Sequence, residues 1–145
     1  MKGLIQRVTS ASVSVNTEVV GEIQSGILLF IGVEKDDSDQ QIEKMARKVF
    51  NYRIFADQDG RMNKSLSDIQ GELLVVSQFT LVADTAKGNR PGFSKGATPE
   101  HGEFIYKSFV QHINSEYWKC QTGIFGADMA VSLLNDGPVT FWIET

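Results

Sequence analysis

The hydrophobic pattern of this chain changes its period along the sequence, and this change limits the folds that the chain can adopt. In residues 11–15, apolar side chains alternate with serines, which is typical of a strand with one buried face. In residues 42–50, apolar side chains recur every three or four positions, which predicts a helix with one buried stripe. The two periods together indicate a sheet with at least one helix packed against it.

Strand patterns account for most of the chain. The alternating segment 11–15 is followed by a turn at Asn16–Glu18, and Val19–Ile23 is expected to pair back on it as a hairpin. Ile27–Ile31 is apolar on both faces, as in a central strand. Further strands are predicted at Arg53–Phe55, Glu72–Leu81, Gln121–Phe125, Met129–Leu134 and Val139–Glu144.

Two helices have recognisable start signals. Ser38 is followed three residues later by Gln41, which is the spacing of a capping box. Thr98 and Pro99 provide the cap and the first position of a second helix, which is expected to end near Glu116. The order of elements over residues 1–145 predicts one α+β domain, a strongly curved, barrel-like mixed β-sheet with two packed α-helices.

The charge balance limits the partners that the chain can have. Its 145 residues include 14 Lys and Arg against 18 Asp and Glu, a net charge of −4. This excludes a globally basic nucleic-acid coat protein but not a local basic patch. Lys87, Arg90 and Lys95 lie between Thr85 and Pro99 with no acidic residue among them. Contact with phosphate or RNA and a merely solvated loop both remain open.

The sequence indicates neither a membrane span nor a metal site. No run approaches the ~18 consecutive apolar residues of a span, and the first residues turn polar too early for a signal peptide, so we expect a cytoplasmic protein without a membrane partner. The single cysteine, Cys120, has no partner for an internal disulfide and is interpreted as a buried structural thiol. His101 and His112 lie about three helical turns apart, too far to share one metal ion. We therefore expect no metal and no cofactor.

Two short segments are candidates for a functional site. Ser77–Leu81 ends an apolar strand with adjacent polar side chains, where backbone N–H groups leave the sheet and can face a ligand. Asn135–Val139 has the composition of a turn, although a Gly-Pro bond can also be cis and hold backbone carbonyl groups in a fixed direction. On local grounds, plain strand termination and a plain hairpin are sufficient explanations of the two segments.

Taken together, several segments of the chain resemble the D-aminoacyl-tRNA deacylase family. Each segment alone is a weak signal, but they occur jointly, in the family's order and over nearly the whole chain. The matching segments are Gln6–Val8 with Ala11 and Val13, Gly32–Val33, Ser77–Leu81, Arg90–Phe93, Thr122–Met129 and Asn135–Thr140. The joint match favours a functional interpretation of the strand end and of the Gly-Pro segment.

The resemblance implies hydrolysis of the ester that joins a D-amino acid to the 3′-terminal adenosine of tRNA. It also implies a homodimer of a curved-sheet α+β fold with active sites at the dimer interface, and the aminoacylated 3′ end of tRNA, not DNA, as the partner. The Gly137–Pro138 bond would be cis and would enter the partner subunit's pocket as a gate against L-amino acids. Because glycine has no side chain, such a gate admits glycyl-tRNA, including glycine mischarged on alanine tRNA.

The resemblance also assigns roles to single residues. Ser77, Gln78, Phe79 and Thr80 would line the floor of the pocket, with the backbone N–H groups of Phe79 and Thr80 facing the developing oxyanion. Arg7 would brace the Gly137–Pro138 turn, with a merely exposed strand arginine as the alternative. Phe125 and Met129 would form the walls of the adenosine pocket, with packing in the core as the alternative. Contacts with tRNA would come from Lys87, Arg90, Phe93 and Lys95.

The nucleophile and the function class have alternatives. The hydroxyl of Thr80 needs a nearby base, and neither histidine is placed for that role by the sequence, so a water molecule assisted by the 2′-hydroxyl of the terminal ribose is favoured. A non-catalytic tRNA-binding module and an editing domain for mischarged L-amino acids are the competing functions. An unrelated small-molecule esterase is disfavoured because a nucleophile–histidine pair is missing.

Overall fold

The computed structural model describes residues 1–86 and 88–145. Eight strands and three α-helices follow one another along this part of the chain, and a short 3₁₀ helix, Phe79–Val82, comes directly after β6. The elements are β1 (Lys2–Val15), β2 (Glu18–Ile23), β3 (Gly26–Gly32), α1 (Asp39–Asn51), β4 (Phe55–Ala56), β5 (Met62–Lys64), α2 (Leu66–Ile69), β6 (Glu72–Ser77), α3 (Pro99–Glu116), β7 (Gln121–Thr122) and β8 (Ala130–Glu144).

The main sheet is built around β1, the first of its two long strands. The second half of β1 pairs with β2 and its first half pairs with β3, both antiparallel, while β8 runs antiparallel along its other edge. The turn between β1 and β2 has positive φ at both Asn16 and Thr17, as a two-residue hairpin turn requires. The predicted hairpin is therefore confirmed, although β1 begins at Lys2, well before the alternating segment.

The other side of the sheet is parallel. Strand β3 pairs with β6, and β6 pairs with β7, in parallel register. The strand order is β2-β1-β3-β6-β7, and the two ends of this order come close together, since a Cβ atom at Gly21 would lie 2.7 Å from the carbonyl oxygen of Thr122. The sheet is consequently mixed and nearly closed into a barrel, as predicted.

Helices α1 and α3 pack on one face of this sheet. The stripe predicted for α1 is completely buried, and so is the apolar face of α3 that includes Ile105, Phe109 and Ile113. The Ser38 hydroxyl donates to Gln41 Oε1 at 2.8 Å, and Thr98 Oγ1 accepts from the His101 backbone N–H at 3.3 Å, so both helices begin at their predicted caps. A second apolar cluster on the opposite face fills the barrel: Val8, Ala11, Val13, Ile23, Leu28, Leu74 and Val76.

Five parts of the secondary structure were predicted wrongly or incompletely. Strand β5, Met62–Lys64, was not predicted, because three residues are too few to show an alternating pattern. A third helix, α2, was not predicted, because four residues are too few to show a helical period. Strand β6 ends at Ser77, and the residues after Gln78 form the 3₁₀ helix. Strands β4 and β7 are only two residues long each. The two strands expected around Asn135–Val139 are one continuous strand, β8, because both halves pair with β1.

In residues 1–86 and 88–145, every helix is too short or too polar to cross a membrane.

Candidate active site

The site begins where two parallel strands end side by side. Ile31 in β3 is the register partner of Ser77 in β6, and the backbone N–H of Gln78 donates to the carbonyl oxygen of Ile31 at 2.8 Å. Beyond this bond the chain leaves the sheet and turns into the 3₁₀ helix. The polar residues predicted at the strand end therefore lie where the central strands β3 and β6 end.

A cleft of about 580 Å³ opens at these strand ends. Its lining comes from four parts of the chain: the ends of β3 and β6, the loop before α3, the first turn of α3, and the segment between β7 and β8. Of the residues predicted for the site, six line this cleft: Ser77, Gln78, Phe79, Phe93, Phe125 and Met129. The structure thus brings these six residues together in one cleft.

Backbone donors follow the end of β6, on Phe79, which lines the cleft, and on the adjacent Thr80. In the 3₁₀ helix the N–H of Leu81 bonds to the carbonyl oxygen of Gln78 at 3.3 Å. The N–H groups of Phe79 and Thr80 precede this bond, and the first N–H groups of a helix have no partner within the helix. Two adjacent donors of this kind can stabilise a negatively charged oxygen.

Thr80 is oriented differently from its predicted neighbours. Its side chain is exposed and does not belong to the lining of the cleft. Thr80 Oγ1 accepts a hydrogen bond from Gln78 Nε2 at 2.6 Å. An amide nitrogen cannot take a proton from the hydroxyl, so this contact does not activate Thr80 as a nucleophile.

The mouth of the cleft is aromatic. The Phe79 side chain is 68% exposed, which is unusual for phenylalanine. Its ring lies 5.2 Å from the ring of Phe93, centroid to centroid. The two rings are tilted by 47° to each other and together offer an exposed aromatic surface at the cleft.

The opposite wall is formed by Phe125 and Met129. The Phe125 ring packs against Tyr106 at 5.7 Å between centroids, and it lies over Gly102, where an added Cβ would be 3.4 Å from Phe125 Cζ. The sulfur of Met129 lies 2.6 Å from where a Cβ of Gly123 would be. Both side chains are thus held by glycines that leave room for them.

The Gly137–Pro138 segment forms a bulge within β8. Gln6 is the partner of Thr140 and Val8 is the partner of Asn135, so residues 136–139, called the bulge from here on, face Arg7 alone. The peptide bond between Gly137 and Pro138 is cis, as the resemblance implies. Both residues are exposed and neither lines the cleft of its own chain.

Arg7 holds the bulge at its first residue. Arg7 Nε donates to the backbone carbonyl oxygen of Asp136 at 2.9 Å and lies 3.1 Å from its carboxylate Oδ2. Arg7 Nη1 donates to the carbonyl oxygen of Ile54 at 2.6 Å. The Arg7 side chain is mostly buried, which favours strong charge-assisted hydrogen bonds. The bracing contact predicted for Arg7 is present.

The basic residues predicted on the loop before α3 are described at two positions. Arg90 and Lys95 are exposed on the loop before α3 and do not line the cleft, while Lys87 lies outside the described residues. The backbone pairing of Asp84 with Gly92 closes the loop on itself, and the pairing of Glu34 with Gly96 ties the loop to the segment after β3. It therefore presents Arg90 and Lys95 near the cleft without placing them in it.

The cleft is poor in titratable groups. Among its described lining residues, Asp128 is the only side chain that titrates. His101 Nε2 lies 3.1 Å from the carbonyl oxygen of Asp37, and the His112 ring packs edge-on near Tyr117. No group of three or more His, Cys, Asp or Glu side chains within residues 1–86 and 88–145 is placed to hold a metal ion.

Cys120 is buried, just before β7, and it is not part of the cleft. Burial raises the pKa of its thiol to about 11 and also raises the pKa of the neighbouring Tyr106 hydroxyl. A thiol with a raised pKa is a poor nucleophile, in agreement with the structural role predicted for it.

Several lining residues were not predicted. They come from the loop before α3, the first turn of α3 and the turn before β8: Gly96, Ala97, Thr98, Pro99, Gly102, Gly126, Ala127 and Asp128. Thr98 and Pro99 were identified only as helix-capping residues. The same start of α3 that ends the loop also closes the cleft, and the family-like segment Thr122–Met129 was the available signal for the other part.

Comparison with known proteins agrees with this geometry. A protein-family model described as D-Tyr-tRNA(Tyr) deacylase matches residues 4–144. The D-aminoacyl-tRNA deacylase of Alteromonas mediterranea is 62% identical over 141 residues, which cover 97% of each chain.

Two solved structures share the fold. One, described as c-Myc DNA Unwinding Element Binding Protein, has a TM-score of 0.95 and 40% identity, covering 100% of this chain and 99% of that chain. The other, described as a probable eukaryotic D-amino acid tRNA deacylase, has a TM-score of 0.83 at 17% identity, covering 98% and 97%; it supports the fold alone.

Fold, cleft and relatives together define an enzyme of the hydrolase class, of the kind that deacylates D-aminoacyl-tRNA. The chain belongs to the D-Tyr-tRNA(Tyr) deacylase family.

Proposed function

We propose that this chain hydrolyses the ester bond between a D-amino acid and the 3′-terminal adenosine of tRNA, releasing the amino acid and intact tRNA in the cytoplasm. The observation that carries the proposal is the end of the buried strand β6 at the cleft. Directly after it, in the Ser77–Leu81 segment, the backbone N–H groups of Phe79 and Thr80 have no partner within the 3₁₀ helix, and we take them as the oxyanion donors. The aminoacyl ester would lie beside Phe79, which lines the cleft.

The donors would supply the electrostatic part of catalysis. Attack on the ester carbonyl places negative charge on its oxygen, and preorganised N–H groups stabilise that charge. Loss of one such donor in other enzymes costs about 3–4 kcal/mol of transition-state stabilisation. Backbone donors at a strand end suit this role because they have no rotamers to lose.

A water molecule is the proposed nucleophile, assisted by the 2′-hydroxyl of the terminal ribose. The described lining of the cleft contains no histidine, cysteine or lysine, and Thr80 Oγ1 is bound to an amide that cannot act as its base. An aminoacyl ester is already activated, so modest assistance suffices. Attack by Thr80 remains the alternative mechanism.

Stereoselectivity would come from backbone atoms of the bulge. The carbonyl groups near Gly137 and Pro138 would hold the substrate's amino group and leave no room for the side chain of an L-amino acid. Rejection of a mirror image calls for such a repulsive element, because attraction alone separates enantiomers poorly. The D side chain would point towards solvent, so many D-amino acids would be accepted, and glycine would not be excluded.

The gate would be supplied by a second copy of the chain, in a homodimer. Gly137 and Pro138 are exposed and lie outside the cleft of their own chain. On the same strand, Leu133 and Leu134 are 37% and 62% exposed, and exposed apolar surface favours burial against a partner. A dimer would cover these leucines and bring the bulge to a neighbouring cleft.

Substrate contacts would surround the ester. Phe125 and Met129 would form the adenosine wall, with the exposed Phe79–Phe93 pair at the mouth. Arg90 and Lys95, with Lys87, would meet phosphates of the acceptor end. Contacts of this kind weaken as salt concentration rises.

The experiment is hydrolysis of D-tyrosyl-tRNA and L-tyrosyl-tRNA by the purified chain under single-turnover conditions. Rapid release from the D substrate, with the L substrate near its spontaneous rate, is the expected result. A non-catalytic tRNA-binding module would bind tRNA and leave both esters at the spontaneous rate. An L-editing domain would prefer the L substrate.

Two further measurements test the partners of the chain. Gel filtration tests the homodimer. Excess duplex DNA is expected to leave the rate unchanged, which also tests whether the description of the DNA-binding structural relative extends to this chain.

A further inference from the structure

The base of the bulge is closed by one side chain, that of Asn135. Asn135 Oδ1 accepts from the backbone N–H of Val139 at 2.8 Å. Asn135 Nδ2 lies 3.2 Å from the carbonyl oxygen of Val139 and 3.1 Å from Thr140 Oγ1. The side chain of Asn135, the residue directly before the bulge, thus binds both the backbone N–H and the backbone carbonyl group of Val139, the last residue of the bulge.

The same amide ties the bulge to the neighbouring strand. Asn135 Nδ2 also lies 3.1 Å from Gln6 Oε1 on β1. Gln6 pairs with Thr140 across the ladder, and Val8 pairs with Asn135 itself. Between these two rungs the regular ladder is interrupted, so the Asn135 side chain replaces hydrogen bonds that the backbone does not make there.

We propose that Asn135 is a positioning residue for the stereochemical gate. The Asn135 amide fixes the width of the bulge and the attachment of the bulge to β1, so that the carbonyl groups near Gly137 and Pro138 keep one direction. Arg7 holds the loop from the other side, at Asp136. Asn135 does not line the cleft of its own chain, and it acts through the loop rather than on the substrate.

This inference rests on the proposed function, because it requires that the bulge excludes L-amino acids. It adds a separate claim: discrimination between D- and L-amino acids depends on the Asn135 amide at the base of the bulge and not only on the backbone at its tip. Loosening the base would widen the set of directions that the carbonyl groups adopt. Hydrolysis of the L substrate would rise while hydrolysis of the D substrate would fall.

The test compares the wild type, Asn135→Ala and Asn135→Asp on D-tyrosyl-tRNA and L-tyrosyl-tRNA, with the ratio of the two kcat/KM values as the readout. For Asn135→Ala we expect this ratio to fall about tenfold or more, the factor that corresponds to loss of one or two net hydrogen bonds. Asn135→Asp is expected to recover part of the ratio, since it keeps the acceptor for the Val139 N–H and since Gln6 and Thr140 can turn to donate to it, whereas its second oxygen faces the carbonyl oxygen of Val139 and cannot bond to it.

The matched control is Asn63→Ala. Asn63 Nδ2 donates to Asp57 Oδ2 at 2.7 Å in the exposed β4–β5 hairpin, so this variant also loses a side-chain amide bond, but far along the chain from the bulge and outside the cleft lining. Its D/L ratio is expected to equal that of the wild type. A purely structural effect would lower thermal stability in either variant without changing the ratio.

The outcomes separate the two proposals. A wild type that does not prefer the D substrate overturns the proposed function. A selective wild type with an equally selective, folded Asn135→Ala overturns the positioning role alone. If Asn135→Ala does not fold, Gln6→Leu takes its place, because it removes the anchor on β1 and leaves the Asn135–Val139 bonds intact; an unchanged ratio in Gln6→Leu then overturns the role.

Discussion

Arg7 Nε lies 2.9 Å from the backbone carbonyl oxygen of Asp136 and 3.1 Å from the Asp136 carboxylate. One side chain therefore binds both a backbone and a side-chain group of the residue that begins the bulge. Its third contact, from Nη1 to the Ile54 carbonyl oxygen at 2.6 Å, ties this arrangement to the segment after α1. Arg7 is thus a three-point brace between the bulge and the rest of the fold.

The first prediction concerns this brace. Arg7→Lys keeps the charge but replaces a planar group with several donors by a single ammonium, which cannot reach Asp136 and Ile54 together. We expect kcat/KM for D-tyrosyl-tRNA to fall at least tenfold, and the free energy of unfolding to fall by about 2 kcal/mol, the value of a charged hydrogen bond. Single-turnover kinetics and denaturant unfolding measure the two effects.

Lys48→Ala is the control for Arg7→Lys. Lys48 Nζ donates to the carbonyl oxygen of Glu144 at 2.9 Å, so it is another cation bound to a backbone carbonyl group, but its contact is exposed and away from the bulge. Its removal should leave kcat/KM unchanged. Full activity in Arg7→Lys would contradict the bracing role.

The second prediction concerns Gly137. Its φ of 148° is one that residues with a side chain rarely adopt, and an added Cβ would lie 2.6 Å from Val139 Cγ2 and 2.7 Å from Val139 N. Gly137→Ala must therefore shift the bulge. We expect kcat/KM for the D substrate to fall more than tenfold, or the D/L ratio to collapse, in the single-turnover assay.

Gly60→Ala separates backbone strain from the position of the bulge. Gly60 also has a positive φ, of 77°, but a Cβ added to it would have no atom within 4 Å, and it is in the exposed β4–β5 turn. This variant is expected to lose about 1 kcal/mol of stability and no activity. Equal kinetics in Gly137→Ala and Gly60→Ala would argue against the gate.

The third prediction distinguishes the two nucleophiles. Because Thr80 Oγ1 is bound by the Gln78 amide and not by a base, Thr80→Val is expected to retain kcat within about threefold, the size of effect expected for loss of a minor, solvent-exposed hydrogen bond. A tRNA whose terminal ribose lacks the 2′-hydroxyl is expected to be a poor substrate. Near-complete loss of activity in Thr80→Val, with an acyl-enzyme trapped by acid quench in the wild type, would instead establish attack by Thr80.

Local signals in the sequence were sufficient for the helices. The predicted bounds of α3, Pro99 to Glu116, are those of the structure, because a capping threonine, a proline at the first position and an apolar stripe all lie within the helix or directly before it. The stripe of α1 was predicted correctly for the same reason. The four-residue α2 has a capping box, with Ser65 and Asp68, but no period by which to recognise it.

Features that depend on distant pairing were not predictable. The end of β6 at Ser77 is set by its last contact with β3, whereas the sequence continues with apolar Phe79 and Leu81 and so resembles more strand. The continuity of β8 through residues 136–139 depends on pairing with β1 on both sides of the bulge. From its own composition, Asn-Asp-Gly-Pro predicts only a turn.

In the candidate site too, residues set by local sequence could be predicted and residues brought together by distant contacts could not. The lining residues that a single segment supplies, Ser77 to Phe79, could be identified from the sequence, because a resemblance attaches to contiguous residues. Gly96 and Gly126 line the cleft only because the loop before α3 and the turn before β8 meet there. Such a meeting is a tertiary property, and no spacing in the sequence encodes it.

The fourth prediction concerns pH. Burial raises the pKa of Cys120 to about 11 from an ordinary value of 9.0. Between about pH 9 and 11 the unfolded chain loses the thiol proton while the folded chain retains it, so the free energy of unfolding falls as pH rises through this range. Denaturant unfolding at pH 8 and pH 10.5 measures the decrease, and Cys120→Ala is expected to show a smaller one. An equal decrease in both proteins would contradict the assignment.

The fifth prediction follows from the backbone nature of the gate. A gate that works by leaving no space for an L side chain has nothing to exclude in glycine, so glycyl-tRNA is expected to be hydrolysed, including glycine mischarged on alanine tRNA. The measurement compares glycyl-, L-alanyl- and D-alanyl-tRNA at equal enzyme concentration, which varies only the substituent on one carbon atom. We expect glycyl- and D-alanyl-tRNA to be deacylated and L-alanyl-tRNA to be spared. Hydrolysis of the D substrate with glycyl-tRNA left intact would mean that the enzyme selects for a D side chain by attraction, and the exclusion mechanism would have to be abandoned.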